Sequence, residues 1–567
     1  MSETPHSPHA STHGTASRWC RHTCRRTVLV ILIALCDERV LAGDEAWILE
    51  YRPDDLVTIV PTDLLANPDG SFYVCGACGD SSRRIIAGLF KIGRWGHVDW
   101  DRRFGSESGE VRAVAMCADR CGGVYVTGSI DQSAVGEFPH NVDIVTLHYD
   151  SRGRLIWHTT YDAGMGGHDV PSAITCDRYG NVYITGSAHT EWGGEDCVTL
   201  KYTPFGKLAW SRTYDGGWSH DDWGVDIAVD RHGNVVVAGG TFPRPRDVGG
   251  NGDDFLLLKY DRQGELLWES YFDGTAHSDD YVLGLGVGPD DAIYVGGNAV
   301  GSMTGTDMVA VCFTPQGNQA WATRYDGIGA EGNNPPRHAV IDRFGNTYLT
   351  GHVLEVDPVT LHGGYRFTSI RISSLGQLEW ASVKPLDGDR LVEGTVIAVH
   401  ENGDVFVTGT GWRTIGYDNS GNITHTFKHP MSGSDAATCM AIGAYGTVVM
   451  AGGDSEGRMI LIAYNTDRPN GNVANESVSA LCSYPNPFNA SMTIEFLAVR
   501  PGRYQVDVFN TLGQHIDHPF EGELAAGIHR IRWGVSSRTS TALPSGVYYY
   551  RVSSSDRFAT GNAVLLK

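Results

Sequence analysis

The feature that most constrains this chain is a four-residue pattern that recurs along most of its length. The pattern is an aromatic residue or valine, an apolar residue, a small residue and a glycine, and successive glycines lie 52, 58, 53, 58, 54, 58 and 43 residues apart. The eight copies begin at Tyr73, Tyr125, Tyr183, Val236, Tyr294, Tyr348, Phe406 and Val449. Full intervals hold four strand-like segments. This period predicts the blades of a β-propeller, because stacked blades cover faces that one small sheet cannot bury alone.

A second series of residues predicts how the ring of blades closes. One large aromatic residue follows the last turn of each repeat, at Trp100, Trp157, Trp210, Trp268, Trp321, Trp380 and Phe427. Trp47 begins a similar segment before the first repeat, whereas the last repeat ends near Asp467 without one. We therefore expect an all-β fold in which residues 44–465 form an eight-bladed propeller. Strand 46–52 would complete the last blade and remove open sheet edges. Seven blades is the alternative, because the last interval is short.

The repeats resemble a bacterial β-propeller repeat family. Its units read roughly Tyr-Asp-Gly, then Asp-x-x-Gly-Asn-x-Tyr-Val-Thr-Gly, then Asp-x-x-x-x-Lys-Tyr, then Gly-x-x-x-Trp. Residues 161–210 and 214–268 match this order best, and the repeats at both ends depart from it. The resemblance implies a propeller within an exported multidomain protein. It implies no particular ligand, because one fold serves many functions.

The first 43 residues have the features of an export signal. Four arginines, at positions 18, 21, 25 and 26, precede an apolar run at 28–35, and residues 40–42 offer small or apolar side chains for cleavage. The apolar run is much shorter than the roughly 20 residues of a membrane-spanning helix. We therefore expect export through the periplasm and no stable membrane span.

A polar linker at 466–480 precedes a second predicted domain at 481–567. Alternating strand patterns over this length are typical of a small β-sandwich. Its motif residues are Tyr484, Pro485, Asn486, Pro487, Phe488, Asn489, Gly546 in a Ser-Gly-x-Tyr-x-Tyr-Arg strand, and the final Lys567. These motifs closely resemble the type A C-terminal sorting domain of the type IX secretion system and the related Ig-like fold of hook-capping proteins. The resemblance implies recognition by the type IX secretion machinery and delivery to the cell surface or the medium. An Ig-like module without a sorting role is the alternative.

The net charge argues against nucleic acid as a ligand, and the positions of the cysteines argue against a zinc site. The net charge of −22 disfavours nucleic acid as a ligand, because a polyanion would be repelled. The spacings of Cys75 with Cys78, and of Cys117 with Cys121, are those of zinc ligands. However, Cys75 ends a strand whereas Cys117 precedes a turn at the other end of a neighbouring repeat. We therefore expect local disulfides or buried thiols there.

No catalytic motif is present, and the acidic residues instead recur from repeat to repeat. The sequence has no Gly-x-Ser-x-Gly elbow, His-Glu-x-x-His helix or phosphate loop. Aspartates recur between repeats, at Asp169, Asp222 and Asp280, and before the third strands, at Asp143, Asp196, Asp254 and Asp307. A catalytic constellation is needed once, so recurrence favours capping of backbone N–H groups and bonds between blades. Calcium would suit such carboxylates, but without an Asp-x-Asp-x-Asp-Gly loop the sequence indicates no cofactor and no metal ligand.

Loop length and tryptophans indicate where a ligand would bind. The longest predicted loops, at 129–142, 241–253 and 352–364, emerge on the same face as the loops that carry Asp222 and Asp280. Trp192, Trp218, Trp223 and Trp412 lie in or beside loops of this face. Exposed aromatic rings there can stack on sugars or peptides, and packing between blades is their alternative role.

We therefore expect an extracellular or surface binding module for a glycan or a protein. Its candidate ligand-binding residues are Trp192, Trp218, Trp223, Asp222 and Asp280. One alternative is a secreted propeller hydrolase or lyase with its site on the same face. The other alternative is a purely structural surface protein.

Overall fold

In the computed structural model, antiparallel sheets follow one another along the chain, and each repeat of the sequence corresponds to one sheet. The structure describes residues 30–31, 45–466 and 478–565, apart from 83, 107–108, 134–140, 165, 191–193, 218–219, 243–251, 302–304, 328–335, 357–362, 385–393, 410, 430–435, 444–445, 485–490, 499–501, 512, 526, 535–543 and 555–556. The predicted export signal, except residues 30–31, and most of the predicted linker therefore lie outside the described residues. The described part of the chain contains no helix long and apolar enough to cross a membrane.

Seven sheets are built from four consecutive strands each. Sheet 1 contains β3 (Leu56–Ala66), β4 (Phe72–Asp80), β5 (Ile85–Ile92) and β6 (Val98–Phe104), and sheet 2 contains β7 (Val111–Ala118), β8 (Val124–Asp131), β9 (Val142–Tyr149) and β10 (Leu155–Tyr161). Sheet 3 contains β11 (Val170–Cys176), β12 (Val182–His189), β13 (Glu195–Tyr202) and β14 (Leu208–Tyr214), and sheet 4 contains β15 (Trp223–Val229), β16 (Val235–Thr241), β17 (Asp254–Tyr260) and β18 (Leu266–Phe272). Sheet 5 contains β19 (Tyr281–Val287), β20 (Ile293–Gly301), β21 (Gly305–Phe313) and β22 (Gln319–Tyr325), and sheet 6 contains β23 (Pro336–Ile341), β24 (Thr347–Val356), β25 (Gly363–Ile372) and β26 (Leu378–Lys384). Sheet 7 contains β27 (Gly394–Val399), β28 (Val405–Gly409), β29 (Arg413–Tyr417) and β30 (Ile423–Lys428).

Sheet 8 combines both ends of the repeat region. It contains β31 (Ala437–Ile442), β32 (Thr447–Gly453) and β33 (Met459–Asn465), and β33 pairs antiparallel with β2 (Glu45–Tyr51), with Trp47 opposite Ala463. The two-residue strand β1 (Val30–Ile31) pairs with the outer edge of β2. The first strand of each sheet contacts the first strand of the next, and β31 contacts β3. The described residues thus form an all-β chain whose four-stranded sheets make a β-propeller.

The middle strands of the sheets form the hydrophobic core. Every residue of β16 and β17 is buried, because each face of sheet 4 is covered by a neighbouring sheet. The cluster around Val236, Phe255 and Val295 joins sheets 4 and 5 in this way. Burial of both faces explains why these strands are continuous apolar runs rather than alternating ones.

A tryptophan on the outer strand of most sheets packs against a turn of the following sheet. Its ring lies on a glycine with positive φ, where an added Cβ would come within 3 Å of the indole: Trp47 on Gly96, Trp100 on Gly153, Trp157 on Gly206, Trp210 on Gly264, Trp268 on Gly317, Trp321 on Gly376 and Trp380 on Gly421. The Trp47 indole N–H donates to the Arg94 carbonyl at 3.0 Å. Phe427 has no such turn to meet, because β33 leads out of the repeats, and its ring instead stacks on Tyr464 at 4.0 Å.

The C-terminal region forms two further sheets. Their strands are β34 (Val478–Tyr484), β35 (Ser491–Ala498) and β38 (Gly527–Gly534) in one sheet, and β37 (His515–Leu524), β36 (Gly502–Asn510), β39 (Gly546–Ser554) and β40 (Arg557–Leu565) in the other. The two sheets share one core that includes Phe496, Val506, Trp533 and Tyr550.

Candidate functional site

The described candidate residues lie at the start of the innermost strands. Asp222 and Asp280 directly precede β15 and β19, and both are buried. Trp223 is half-buried, and its ring covers Gly240, where an added Cβ would lie 2.4 Å from Trp223 Cζ2. Trp192 and Trp218 lie outside the described residues. Trp412 is fully buried and packs against Gly452, so its role is packing between sheets.

Asp222 belongs to a group of three carboxylates. Asp196 at the start of β13, Asp215 after β14 and Asp222 before β15 each bring one oxygen within 4.8 Å of the others. The same arrangement occurs at three successive junctions between sheets. We call these groups cluster I (Asp143, Asp162, Asp169), cluster II (Asp196, Asp215, Asp222) and cluster III (Asp254, Asp273, Asp280).

Backbone hydrogen bonds bring the three segments of each cluster together. In cluster II the Asp222 N–H donates to the Glu195 carbonyl at 2.6 Å, which places Asp222 beside Asp196. The Asp222 carboxylate in turn accepts the Gly216 N–H at 2.5 Å. A Cβ added to Gly216 would lie 2.5 Å from Thr241 Oγ1 and 2.8 Å from Asp222 Oδ1, so a glycine fits this position of cluster II. The predicted capping of backbone N–H groups by these aspartates is therefore present, and the carboxylates also meet one another.

Burial shifts the protonation of these carboxyl groups. Desolvation raises the pKa of Asp222 and of Asp280 to about 6, and it raises the pKa of Asp254 to about 7. It also raises the pKa of Asp143, Asp169 and Asp196 above the ordinary range. Negative charge concentrated in these clusters is therefore costly at neutral pH unless a positive charge joins it.

Clusters I and II each contain a buried oxygen to which no described residue donates a hydrogen bond. These atoms are Asp143 Oδ1 and Asp222 Oδ1, on side chains of residues that are only 4% and 1% exposed. Buried polar atoms in folded proteins normally have a partner, and an orphan carboxylate oxygen is especially unfavourable.

Equivalent positions in other sheets carry different chemistry. In sheet 1, Ile86 takes the place of Asp143, because it pairs with Cys78 as Asp143 pairs with Ile130 in sheet 2. Ile86 also packs against Gly105, which takes the place of Asp162. In sheet 5, Asp307 forms an ion pair with Arg324 at 2.8 Å. The fold therefore accepts an apolar set or a carboxylate–guanidinium pair at this junction and does not itself require three carboxylates.

The opposite face consists of tight turns, and two open cavities lie there. One cavity of about 400 Å³ lies between sheets 3 and 4 and is lined by Arg178, Tyr179, Lys201, Arg231 and Arg262, among others. A similar cavity of about 390 Å³ lies between sheets 6 and 7. Both lie at the turns, away from the long connections where the sequence predicts ligand binding.

The four cysteines whose spacings are those of zinc ligands are free thiols. Cys75, Cys78, Cys117 and Cys121 form no disulfide, which contradicts the local-disulfide alternative. The alternative of buried thiols holds for Cys75 and Cys78, whereas Cys117 is half-buried and Cys121 is exposed. Burial raises the pKa of the Cys78 thiol to about 12, so this group stays protonated at neutral pH.

The sorting-motif residues are described only in part. Tyr484 ends β34 and Gly546 begins β39, whereas residues 485–489 and 567 lie outside the described residues. Elsewhere in this domain, Asp507 lies between His515, His518 and Arg551. Burial acts to raise the pKa of Asp507, but hydrogen bonds from His518, Gln505 and the other neighbours hold it below its ordinary value. This carboxylate thus has the Arg551 guanidinium of the protein itself beside it.

Comparison with known proteins gives one sequence family and several distant folds. Residues 483–565 match the family model for a secretion system C-terminal sorting domain. No curated protein matches the chain by sequence. The C-terminal WD40 domain of Sif2 is 11% identical with a TM-score of 0.47, and the match covers 74% of this chain and 99% of that chain. PorZ, described as an essential surface component of the type IX secretion system of Porphyromonas gingivalis, is 12% identical with a TM-score of 0.29, covering 89% and 81%.

YCF48 bound to D1 peptide is 9% identical with a TM-score of 0.37, covering 75% of this chain and 97% of that chain. These TM-scores are low, so the architecture rests on the strand pairing of this chain. The conclusion about localisation rests on the sorting-domain match. Residues 483–565 are a type IX secretion C-terminal sorting domain, and the protein that carries them is delivered to the cell surface or the extracellular space.

Proposed function

We propose that the protein is an exported eight-bladed propeller over residues 44–465, followed by a linker at 466–480 and an Ig-like domain at 481–567, with an export signal at 1–43. Strand 46–52 closes the ring as the outer strand of the last blade. The pairing of β2 with β33 supports this closure, as does the hydrogen bond from Thr438 Oγ1 to the Pro61 carbonyl at 2.8 Å, between the last sheet and the first.

Deletion of residues 44–53 tests the closure. The variant loses the outer strand of sheet 8 and the contact of Trp47 with Gly96, so we expect its melting temperature to fall by many degrees. An unchanged melting curve would contradict the proposed closure.

We further propose that the propeller is a binding module for an extracellular glycan or protein, and that the ligand meets the face with the long connections. The observation that carries this proposal is that the connections between strands are longer on one face than on the other. On one face the connections include 132–141, 242–253 and 326–335, whereas on the other the strands are joined by short turns such as 177–181 and 203–207. Binding residues concentrate on long loops held by a rigid scaffold.

Substitution of aromatic residues on the two faces tests this function. Full-length protein is applied to an array of glycans and surface proteins, as wild type, as the double variant Trp192→Ala/Trp218→Ala, and as Phe205→Ala. Phe205 is the matched control, because it is 87% exposed in a turn of the opposite face. We expect the double variant to lose binding and Phe205→Ala to retain it. Loss with Phe205→Ala alone would move the binding site to the tight turns and overturn the proposal.

A further inference from the structure

We propose that clusters I and II each bind a divalent cation of the calcium class. The inference goes beyond the binding module above, because it concerns an ion held within the scaffold and does not depend on the identity of any glycan or protein ligand. Each site combines carboxylate oxygens from two neighbouring sheets, with Asp143 and Asp162 joining Asp169 in cluster I.

The donor atoms and their spacing fit calcium. All three side-chain ligands are carboxylate oxygens, which hard cations prefer, and they carry up to three negative charges. Calcium holds oxygens at about 2.3–2.6 Å, so ligands around one ion lie no more than about 5 Å apart. The oxygens of each cluster lie within 4.8 Å of one another, so one ion can contact all three.

The orphan oxygens provide the second argument. Asp143 Oδ1 and Asp222 Oδ1 are buried and have no donor at hydrogen-bond distance among the described residues, although the side chains of Gln132 and Thr241 lie beside these two carboxyl groups. A cation held by the cluster would satisfy such an oxygen. Cluster III is different, because the Arg324 guanidinium next to it contributes positive charge near Asp280. We therefore assign the sites to clusters I and II.

The variation between sheets supports the same conclusion. Sheet 1 has Ile86 in place of the first aspartate, and in sheet 5 a guanidinium lies against Asp307. At these two positions the charge is either absent or balanced, and clusters I and II reach such a balance once a divalent ion binds. Extracellular calcium modules have dissociation constants of about 0.1–1 mM, and the sorting domain delivers this protein to such surroundings.

Calcium-dependent melting of the full-length protein tests the proposal. The melting temperature is measured with a chelator, with calcium at about 5 mM, which exceeds the expected dissociation constants, and with sodium chloride of equal ionic strength. We expect calcium to raise the melting temperature by several degrees and sodium chloride to have no such effect. Asp143→Asn and Asp222→Asn should each remove part of the calcium effect, and the double variant should remove nearly all of it.

The control variant is Asp290→Asn, which makes the same substitution at an exposed carboxylate in a tight turn of the opposite face. It should retain the full calcium effect. If the double variant does not fold, terbium luminescence of the wild type decides the question. Terbium should bind, be sensitised by tryptophans such as Trp223, and be displaced by calcium. A wild type that shows neither stabilisation nor terbium binding overturns the proposal, as does a calcium effect that survives intact in a folded double variant.

Discussion

The two ends of β15 each carry a buried aspartate, and the protein balances them in opposite ways. Asp230, in the tight turn after the strand, accepts backbone N–H groups from His232 and Asn234 on Oδ1. Its Oδ2 accepts the Asn234 amide at 2.9 Å and faces Lys259 at 3.1 Å. Burial acts to raise the pKa of Asp230, but these partners hold it below its ordinary value.

Asp222, at the other end, has far fewer partners. Its Oδ2 accepts the Gly216 N–H, and its Oδ1 has no donor at hydrogen-bond distance among the described residues. Burial raises its pKa to about 6, although the Thr241 side chain and the Gly216 N–H act to lower it. The comparison shows that the tight turn supplies its own donors within five residues and a neighbouring lysine. The opposite end of the strand collects negative charge from three segments, and the donors described there, the Gly216 N–H on Asp222 and the Thr190 hydroxyl on Asp196, carry no charge. The first arrangement is complete as scaffold, whereas the second has the features of a ligand site.

The largest expected difference between the two ends is in stability. Asp230→Ala leaves Lys259 buried without its carboxylate, since the side chains of this pair are only 5% and 1% exposed. We expect the variant to lose about 3–5 kcal/mol of unfolding free energy, as is typical when one partner of a buried ion pair is removed. Equilibrium denaturation in the presence of a chelator measures the loss.

The matched variant at the other end is Asp222→Asn. It removes a buried charge and keeps an oxygen to accept the Gly216 N–H, so without calcium we expect a change of less than about 1 kcal/mol in either direction. Equal losses at the two ends of β15 would show that Asp222 is scaffold in the same sense as Asp230.

The sequence predicts the propeller better than it predicts the clusters, for a physical reason. The strand pattern and the turns are local, and the turn of Asp230 is recognisable because Asp, Gly and Asn lie within five residues. The role of Trp47 as an outer strand also follows from local similarity to the other tryptophan segments. Cluster II is spread over residues 196–222, and tertiary hydrogen bonds bring its members together, such as those from Asp222 N–H to the Glu195 carbonyl and from Gly216 N–H to the Asp222 carboxylate. The recurrence of aspartate in two separate series, between repeats and before the third strands, was the available signal.

The exposure of side chains and the length of loops are also predicted poorly from the sequence. Trp412 follows a strand and lies in a predicted loop, yet it is fully buried against Gly452, because its environment comes from the next sheet. The predicted loop at 352–364 is shorter in the structure, because β24 extends to Val356 and β25 begins at Gly363. Strand ends depend on pairing with a partner strand, which a single sequence segment does not specify.

Asp226, inside β15, shows that the pKa of a carboxyl group can be raised even when both of its oxygens accept hydrogen bonds. The residue is half-buried, and desolvation of its carboxyl group raises the pKa to about 6, as for Asp222. However, its Oδ1 accepts the Ile227 N–H and its Oδ2 accepts the Leu285 N–H of the next sheet, both at 2.8 Å. A raised pKa is therefore not in itself a sign of a ligand site, and we expect Asp226→Asn to leave the calcium effect on melting unchanged.

The pH dependence of stability should nevertheless report Asp226. The folded state holds the proton of this carboxyl more tightly than the unfolded state, so the group contributes stability at about pH 4 that is lost as the pH rises through about 6. Asp226→Asn lacks this titration. Denaturation between about pH 4 and 7 with a chelator should therefore show that the advantage of the wild type over the variant narrows as the pH rises, by at most about 3 kcal/mol. An advantage that is constant or widens over this range would mean that Asp226 stays ionised in the folded protein, and that its two backbone hydrogen bonds outweigh its burial.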